Sequence, residues 1–84
     1  MKTVYIGVDI AKASFDVAYC KVRKAEWLGR WSNDESGYKA LQEQVETIQA
    51  ALGAETVHLI LEPTGGYELG VALFAYANGW EVTK

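Results

Sequence analysis

Val4-Tyr5-Ile6-Gly7-Val8-Asp9-Ile10 is the stretch that decides the fold. Its even-numbered residues are all β-branched and share one face of an extended chain, whereas Tyr5, Gly7 and Asp9 share the other. This alternation predicts a central β-strand. An ionised aspartate in such a strand is costly to bury unless it is paired, hydrogen-bonded or bound to a metal. Asp9 is therefore the first candidate site residue.

Two more strands are predicted directly after this one. Residues 14–20 alternate again after the link Ala11-Lys12-Ala13, and residues 25–31 follow a basic turn at residues 21–24. Strands that are joined by such short links pair in antiparallel fashion. The third strand is expected at the edge of the sheet.

The second half of the sequence predicts helices that alternate with strands. A capping box at Ser32-Asn33-Asp34-Glu35 precedes apolar residues at steps of three and four, which indicates a helix over residues 35–52. Residues 57–61 form a short apolar run that is typical of a strand buried on both faces. Residues 67–78 predict a second helix that is apolar almost all round, and residues 80–83 begin a fifth strand.

The predicted order is therefore βββαβαβ. A strand that is reached through a helix is usually parallel to its neighbour and reached by a right-handed crossover, so the sheet order should be 3-2-1-4-5. That topology is the opening of the ribonuclease H-like α/β fold. With 84 residues the chain has room for one domain.

Composition and charge limit the possible functions. Eight basic and 11 acidic residues give a formal net charge of -3, so the chain lacks a general attraction for nucleic acid phosphates. Any contact with nucleic acid must then be local or come from another segment. The single cysteine, Cys20, excludes an internal disulfide and fits a reducing compartment. No apolar run is long enough for a signal peptide or a membrane span, so we expect a cytoplasmic protein without a membrane partner.

Two carboxylates are the main candidates for chemistry. Asp9 late in the first strand and Glu62 after the fourth should converge at the carboxyl edge of the sheet, since neighbouring strands lie about 4.8 Å apart. Their repulsion would be removed by a divalent cation, and magnesium can activate a nucleophile in phosphodiester chemistry. The simpler alternatives are that Asp9 caps a turn and that Glu62 is solvated. Gly7 either leaves space for a substrate backbone or marks close packing.

Four residues are weaker candidates for contact with nucleic acid: Lys12, Thr64, Gly65 and Tyr67. Lys12 follows Asp9 closely and can meet a phosphate, although an exposed turn lysine is the commoner explanation. The Thr64-Gly65-Gly66 turn precedes a helix, where backbone amides can face a phosphate, but a glycine pair in a turn is weak support.

Other polar and aromatic residues have structural explanations. His58 lies roughly 13 Å from Glu62 along an extended strand, which is too far for both to ligate one ion. Asp16 has two possible roles. It orients Lys12 or a metal ligand without itself binding the metal, or it is an ordinary polar residue on the polar face of the second strand. Trp27 and Trp31 should share a face of the third strand, where packing in the core is favoured over stacking on bases.

Two motifs resemble a known family. Ile6-Gly7-Val8-Asp9-Ile10-Ala11-Lys12-Ala13-Ser14-Phe15-Asp16-Val17 resembles the opening of the DEDD-type transposases of the insertion sequence 110 group, and Leu61-Glu62-Pro63-Thr64-Gly65-Gly66-Tyr67 resembles their second motif. The resemblance implies that residues 1–84 are the N-terminal part of a RuvC-like catalytic domain, similar to Holliday-junction resolvases. It also implies that Asp9 and Glu62 are the first D and the E of a four-acid set that holds Mg²⁺.

The same resemblance implies what the parent protein does. Members of the family cleave and join DNA strands during transposition of an insertion sequence, and a structured guide RNA chooses the sites. The two remaining aspartates and a catalytic serine have no counterpart before Lys84. We therefore expect a truncated domain that holds magnesium weakly and has no nuclease activity alone.

Two alternatives remain open at this stage. An actin-like or sugar-kinase N-terminal lobe shares the βββαβαβ topology, but its first loop is glycine-rich so that it can wrap nucleotide phosphates, and Ala11-Lys12-Ala13 lacks those glycines. The other alternative is a non-catalytic association module, because an all-round apolar helix and an unfinished sheet leave surface to cover. A homodimer is one way to cover it.

Overall fold

The computed structural model describes residues 2–62 and 65–84, which form one sheet with two helices. The elements are β1 Thr3–Ile10, β2 Ser14–Lys21, β3 Lys24–Ser32, α1 Glu35–Leu52, β4 Thr56–Glu62, α2 Leu69–Ala77 and β5 Glu81–Thr83. The five strands lie in the order β3-β2-β1-β4-β5. The pairs β1–β2 and β2–β3 are antiparallel, whereas β1–β4 and β4–β5 are parallel. The predicted α/β class, element order and 3-2-1-4-5 topology of a ribonuclease H-like opening are confirmed.

One face of the sheet carries the core. The even-numbered residues of β1 are all buried, and they join one apolar cluster with Leu41 and Val45 of α1 and Val71 and Ala75 of α2. Both helices therefore cover the same face. This arrangement follows from the topology, because β3 to β4 and β4 to β5 are crossovers in the same direction and of the same hand.

The opposite face, here called the open face, has no helix over it within the described residues. It presents Tyr5, Trp27 and Ile60, whose exposed fractions are 45%, 66% and 39%. The expectation that the fourth strand is buried on both faces is therefore wrong. In β4 only Val57, Leu59 and Leu61 are buried, since the helices reach a single side of the sheet.

A β-bulge divides the two tryptophans of β3. The pairing between β2 and β3 skips Leu28, so Trp27 and Trp31 fall on opposite faces. Trp31 packs against the buried ring of Phe15, with ring centroids 6.3 Å apart. Trp27 lies on the open face, and the prediction that both tryptophans share one face is wrong.

The start of α1 differs from the predicted capping box by two residues. The N-cap is Asp34, whose side chain accepts a hydrogen bond from the Gly37 backbone N–H at 3.1 Å. The hydroxyl groups of Ser32 and Ser36 each donate to the same carboxylate oxygen at 2.8 Å. Hydrogen bonds from Ser36, Ser32 and Gly37, in that order, lower the pKa of Asp34. Asp34 is the N-cap because its carboxylate accepts all three of these hydrogen bonds.

Neither helix of the described residues is long and apolar enough to cross a membrane.

Candidate metal and nucleic-acid site

Three carboxylates line up across neighbouring strands at one edge of the sheet. Asp9 on β1 pairs with Glu62 on β4 in the parallel register and with Asp16 on β2 in the antiparallel register. Residues that pair across adjacent strands point to the same side of the sheet, with strands about 4.8 Å apart. These three residues, here called the acidic row, therefore lie side by side on the open face. The structure places Asp9 and Glu62 opposite one another at the carboxyl ends of their strands.

Asp16, at one end of the acidic row, already has a partner. Arg30 on β3 donates from Nε to Oδ1 at 2.8 Å and from Nη2 to Oδ2 at 3.2 Å. These hydrogen bonds are the main reason that the pKa of Asp16 is lowered, with burial acting in the opposite direction and Trp27 making a smaller contribution. Asp16 therefore pairs with Arg30 and not with Lys12. Its negative charge is balanced, which leaves Asp9 and Glu62 as the unbalanced pair.

The acidic row borders a shallow cavity of about 250 Å³ on the open face. Its lining includes the small residues Gly7 and Ala18 and the larger side chains of Trp27 and Ile60. A methyl group built on Gly7 would come within 3.4 Å of the Cys20 Sγ, which is an ordinary contact. Packing of the described residues therefore does not require glycine at position 7, which favours the reading that Gly7 keeps space open.

Asn33 holds the two loops beside the acidic row. Its Nδ2 donates to the Ala11 carbonyl oxygen at 3.2 Å and to the Tyr67 carbonyl oxygen at 3.0 Å. Its Oδ1 accepts a hydrogen bond from the Tyr38 hydroxyl at 2.7 Å. Burial raises the pKa of Tyr38, with smaller contributions from Asp34 and Glu35, so the hydroxyl stays protonated and able to donate. Asn33 thus fixes the loops that follow β1 and precede α2.

The weaker candidates that the structure describes, Lys12, Gly65 and Tyr67, lie around this edge without forming one site. Lys12 is exposed in the turn after β1. Thr64 lies outside the described residues. Gly65 has a positive φ of 68°, and the Tyr67 ring beside it is 41% exposed. Glu68 lies at the start of α2, and its carboxylate is 3.8 Å from the Lys84 Nζ, which partly balances its charge.

His58 belongs to a separate group on the open face. Its Nε2 lies 2.6 Å from the Thr83 Oγ1, its Nδ1 lies 3.4 Å from a Glu81 carboxylate oxygen, and its ring stacks on Tyr5 with centroids 5.7 Å apart. Both ring nitrogens are thus engaged. The histidine is a satisfied edge residue and does not join the acidic row. In the described part of the chain no three Asp, Glu, His or Cys side chains are arranged to hold a metal ion.

Sequence reasoning missed Arg30 and Asn33. In a regular hairpin with a two-residue loop, Asp16 would pair with Gly29, and it is the bulge at Leu28 that brings Arg30 opposite Asp16 instead. The contacts of Asn33 join segments that lie 22 and 34 positions away in the sequence. No local pattern reports such contacts.

Comparisons with known proteins give two kinds of similarity. No family model matches the sequence. Two curated relatives, both named pilin gene-inverting protein, from Moraxella lacunata and Moraxella bovis, are each 31% identical to this chain over 84 residues. The alignment covers 99% of this chain and 25% of each relative, so the chain spans about a quarter of their length.

Two solved structures resemble the chain distantly. Thermus thermophilus RuvC in complex with a Holliday junction substrate has a TM-score of 0.49 and 16% identity, over 96% of this chain and 62% of that one. An Aquifex aeolicus member of the Ppx/GppA family has a TM-score of 0.41 and 12% identity, over 95% of this chain and 34% of that one. Both scores are low, so the fold assignment rests on the strand order and register described above.

Proposed function

We propose that this chain is the N-terminal part of a DNA recombinase of the DEDD-transposase type, in which Asp9 and Glu62 bind magnesium. The observation that carries the proposal is the register that sets these two unbalanced carboxylates opposite each other at the carboxyl edge of the sheet. Open α/β sheets commonly place their sites at this edge. The name shared by the two curated relatives, pilin gene-inverting protein, also supports an activity in DNA rearrangement.

The two carboxylates suit a hard divalent cation. Mg²⁺ prefers oxygen ligands and is commonly held by one or two carboxylates together with water and substrate phosphate oxygens. When bound, magnesium would supply activation of a water or hydroxyl nucleophile and stabilisation of the leaving oxygen in phosphodiester chemistry. Asp9 and Glu62 would hold it, while the hydrogen bonds from Arg30 to both carboxylate oxygens keep Asp16 out of the ligand set. Two carboxylates are an incomplete set, so further acidic residues must come from another part of the parent protein.

The finer parts of the proposal concern the parent protein. It cleaves and joins DNA strands during transposition of an insertion sequence, and a guide RNA directs it to its sites. The two motifs around Asp9 and Glu62 support this assignment through their resemblance to DEDD transposases. Lys12, Thr64, Gly65 and Tyr67 are proposed to contact the DNA near the metal.

The activity is tested with the full-length protein that contains this chain. Branched DNA and Mg²⁺ should give strand cleavage that Asp9→Asn and Glu62→Gln each reduce by at least about a hundredfold, since loss of a ligand should exceed the effect of losing an outer-shell partner. Glu43→Gln, an exposed carboxylate on α1, is the matched control and should cleave normally. The 84-residue chain alone should not cleave. Full activity of Asp9→Asn would refute the metal role, and Asp9-dependent cleavage by the chain alone would refute the incomplete site.

The actin-like alternative predicts a different ligand. Both folds share the observed strand order, so topology does not separate them. The link between β1 and β2 contains no glycine that could wrap a nucleotide phosphate. We expect no ATP binding by calorimetry, and saturable binding that Asp9→Asn weakens would favour the ATPase reading.

An association role has a specific observation in its favour. The side of α2 that faces away from the sheet presents Leu69, Leu73 and Tyr76, with exposed fractions of 60%, 57% and 55%. Their spacing of four and three places them along one stripe of the helix. We propose that two copies can associate through this stripe. Light scattering at high concentration should then show a dimer that Leu73→Glu dissociates, and a monomer across the whole concentration range would refute it.

A further inference from the structure

The tip of the β2–β3 hairpin concentrates positive charge in an acidic chain. β2 ends at Lys21 and β3 begins at Lys24, so Val22 and Arg23 form a two-residue loop. The tip holds three of the eight basic residues, and the rest of the chain carries a net charge of -6. The Lys21 Nζ lies 3.1 Å from a Glu26 carboxylate oxygen, so Arg23 and Lys24 supply the positive charge that has no acidic partner within residues 2–62 and 65–84. At its apex Val22 is 91% exposed. The charge of this tip is therefore local and points away from the protein body.

Arg23 adopts a backbone conformation that does not suit an arginine. Its φ of 72° is the one positive value at a non-glycine position among the described residues. The left-handed region is unfavourable for residues with a Cβ, and glycine occupies it freely. A two-residue hairpin loop commonly requires a positive φ, so the turn itself imposes this conformation, and glycine would adopt it at lower cost.

We propose that residues 21–24 enter the major groove of duplex DNA and bind its phosphates. A two-stranded β-ribbon, with strands about 4.8 Å apart, fits a major groove about 12 Å wide. Lys24 lies opposite Lys21 in the hairpin and can reach the groove wall, while Arg23 sits at the apex. Lys21 is paired with Glu26, so a phosphate would have to replace that carboxylate. Duplex is favoured over single-stranded DNA because Trp27, the exposed aromatic nearby, alternates onto the face opposite to Lys24. A base stacked on Trp27 would thus not share a face with the lysines.

The inference rests on the proposed function, because it supplies the duplex contact that the acidic row cannot make. Asp16 and Lys21 stand at opposite ends of β2, five residues or roughly 17 Å apart. Lys21 and Lys24 face the helix side of the sheet, whereas the acidic row lies on the open face, so the tip would hold a stretch of duplex beyond the one that meets the carboxylates.

The test uses the 84-residue chain with a short DNA duplex at low salt in EDTA, followed by NMR titration. The amide signals of residues 21–24 should shift, with a dissociation constant of about 10⁻⁴ M, which is typical of contacts that are not sequence-specific. Arg23→Gly and Lys24→Ala should each weaken binding by about tenfold and reduce the salt slope by about 0.9. Lys39→Ala on α1 removes the same charge elsewhere and should bind like the wild type. Trp27→Ala should also bind normally.

Arg23→Gly should melt at the same temperature as the wild type or higher, so lost binding cannot be attributed to unfolding. Unchanged binding by Arg23→Gly and Lys24→Ala would overturn the inference. So would tighter binding of single-stranded DNA or RNA, or a loss of binding in Trp27→Ala. EDTA removes any metal from Asp9 and Glu62, so the result is independent of the proposed metal site, which is tested separately by cleavage.

Discussion

Replacing Asp9 by asparagine should stabilise this chain when divalent metal is absent. Asp16 is balanced by Arg30, so the repulsion that remains in the acidic row is that between Asp9 and Glu62. Two unit charges about 5 Å apart in water repel by about 0.8 kcal/mol. For a domain of this size 1 kcal/mol shifts the melting temperature by about 4–8 °C, so Asp9→Asn should melt about 3–6 °C higher.

The assay is thermal unfolding followed by circular dichroism in EDTA. Glu43→Gln is the control, because Glu43 is exposed on α1 and lies outside the acidic row. Added salt should raise the wild-type melting temperature toward that of Asp9→Asn, since it screens exposed charges. An Asp9→Asn variant that melts at or below the wild-type temperature in EDTA would show that the two carboxylates do not repel, and the proposed site would lose its physical basis.

Three other changes test the structure around the site. Gly37→Ala should lose about 1–3 kcal/mol in urea unfolding, because a Cβ there would overlap the Ser32 carbonyl oxygen; wild-type stability would contradict this packing. The pKa of Asp34 is lowered from its usual 3.8 in the folded state, so its stabilisation is present above that value and lost as the pH falls through the folded pKa. Asp34→Asn should therefore reduce the loss of unfolding free energy at acid pH, and an unchanged loss would show that the Asp34 carboxylate does not stabilise the fold. Arg30→Ala should raise the pKa of Asp16, measured by NMR titration, and strengthen divalent-metal binding; weaker metal binding would show that Arg30 supports the site directly.

Those parts of the fold that depend on local pattern were predictable from the sequence. The alternation of apolar residues in β1 and their helical spacing in α1 indicate which side of each element packs against the core. The short links between the first three strands indicate antiparallel pairing. Right-handed crossovers then place β4 beside β1, which is enough to bring Asp9 and Glu62 to one edge. The opposed pair of carboxylates thus follows from topology.

The remaining features depend on contacts between distant segments. β4 is buried on one face only because both helices pack on that face. The apolar run at residues 57–61 fits a strand buried on one face as well as a strand buried on both faces, so the sequence does not distinguish the two. The bulge at Leu28 moves Trp27 to the open face and brings Arg30 to Asp16, although alternation alone predicts neither. Asp34 replaces Ser32 as the N-cap because neighbouring hydroxyls donate to it, and both residue types are good caps.

The most direct test of the metal site is a Mn²⁺ titration of the 84-residue chain, followed by paramagnetic broadening of its amide NMR signals. Mn²⁺ shares the preference of Mg²⁺ for oxygen ligands and reports even weak binding. Signals at the carboxyl ends of β1 and β4, around Asp9 and Glu62, should broaden first. Asp9→Asn should abolish this broadening, and Glu43→Gln should leave it intact. Broadening that begins elsewhere, or that persists unchanged in Asp9→Asn, would contradict a metal site at Asp9 and Glu62.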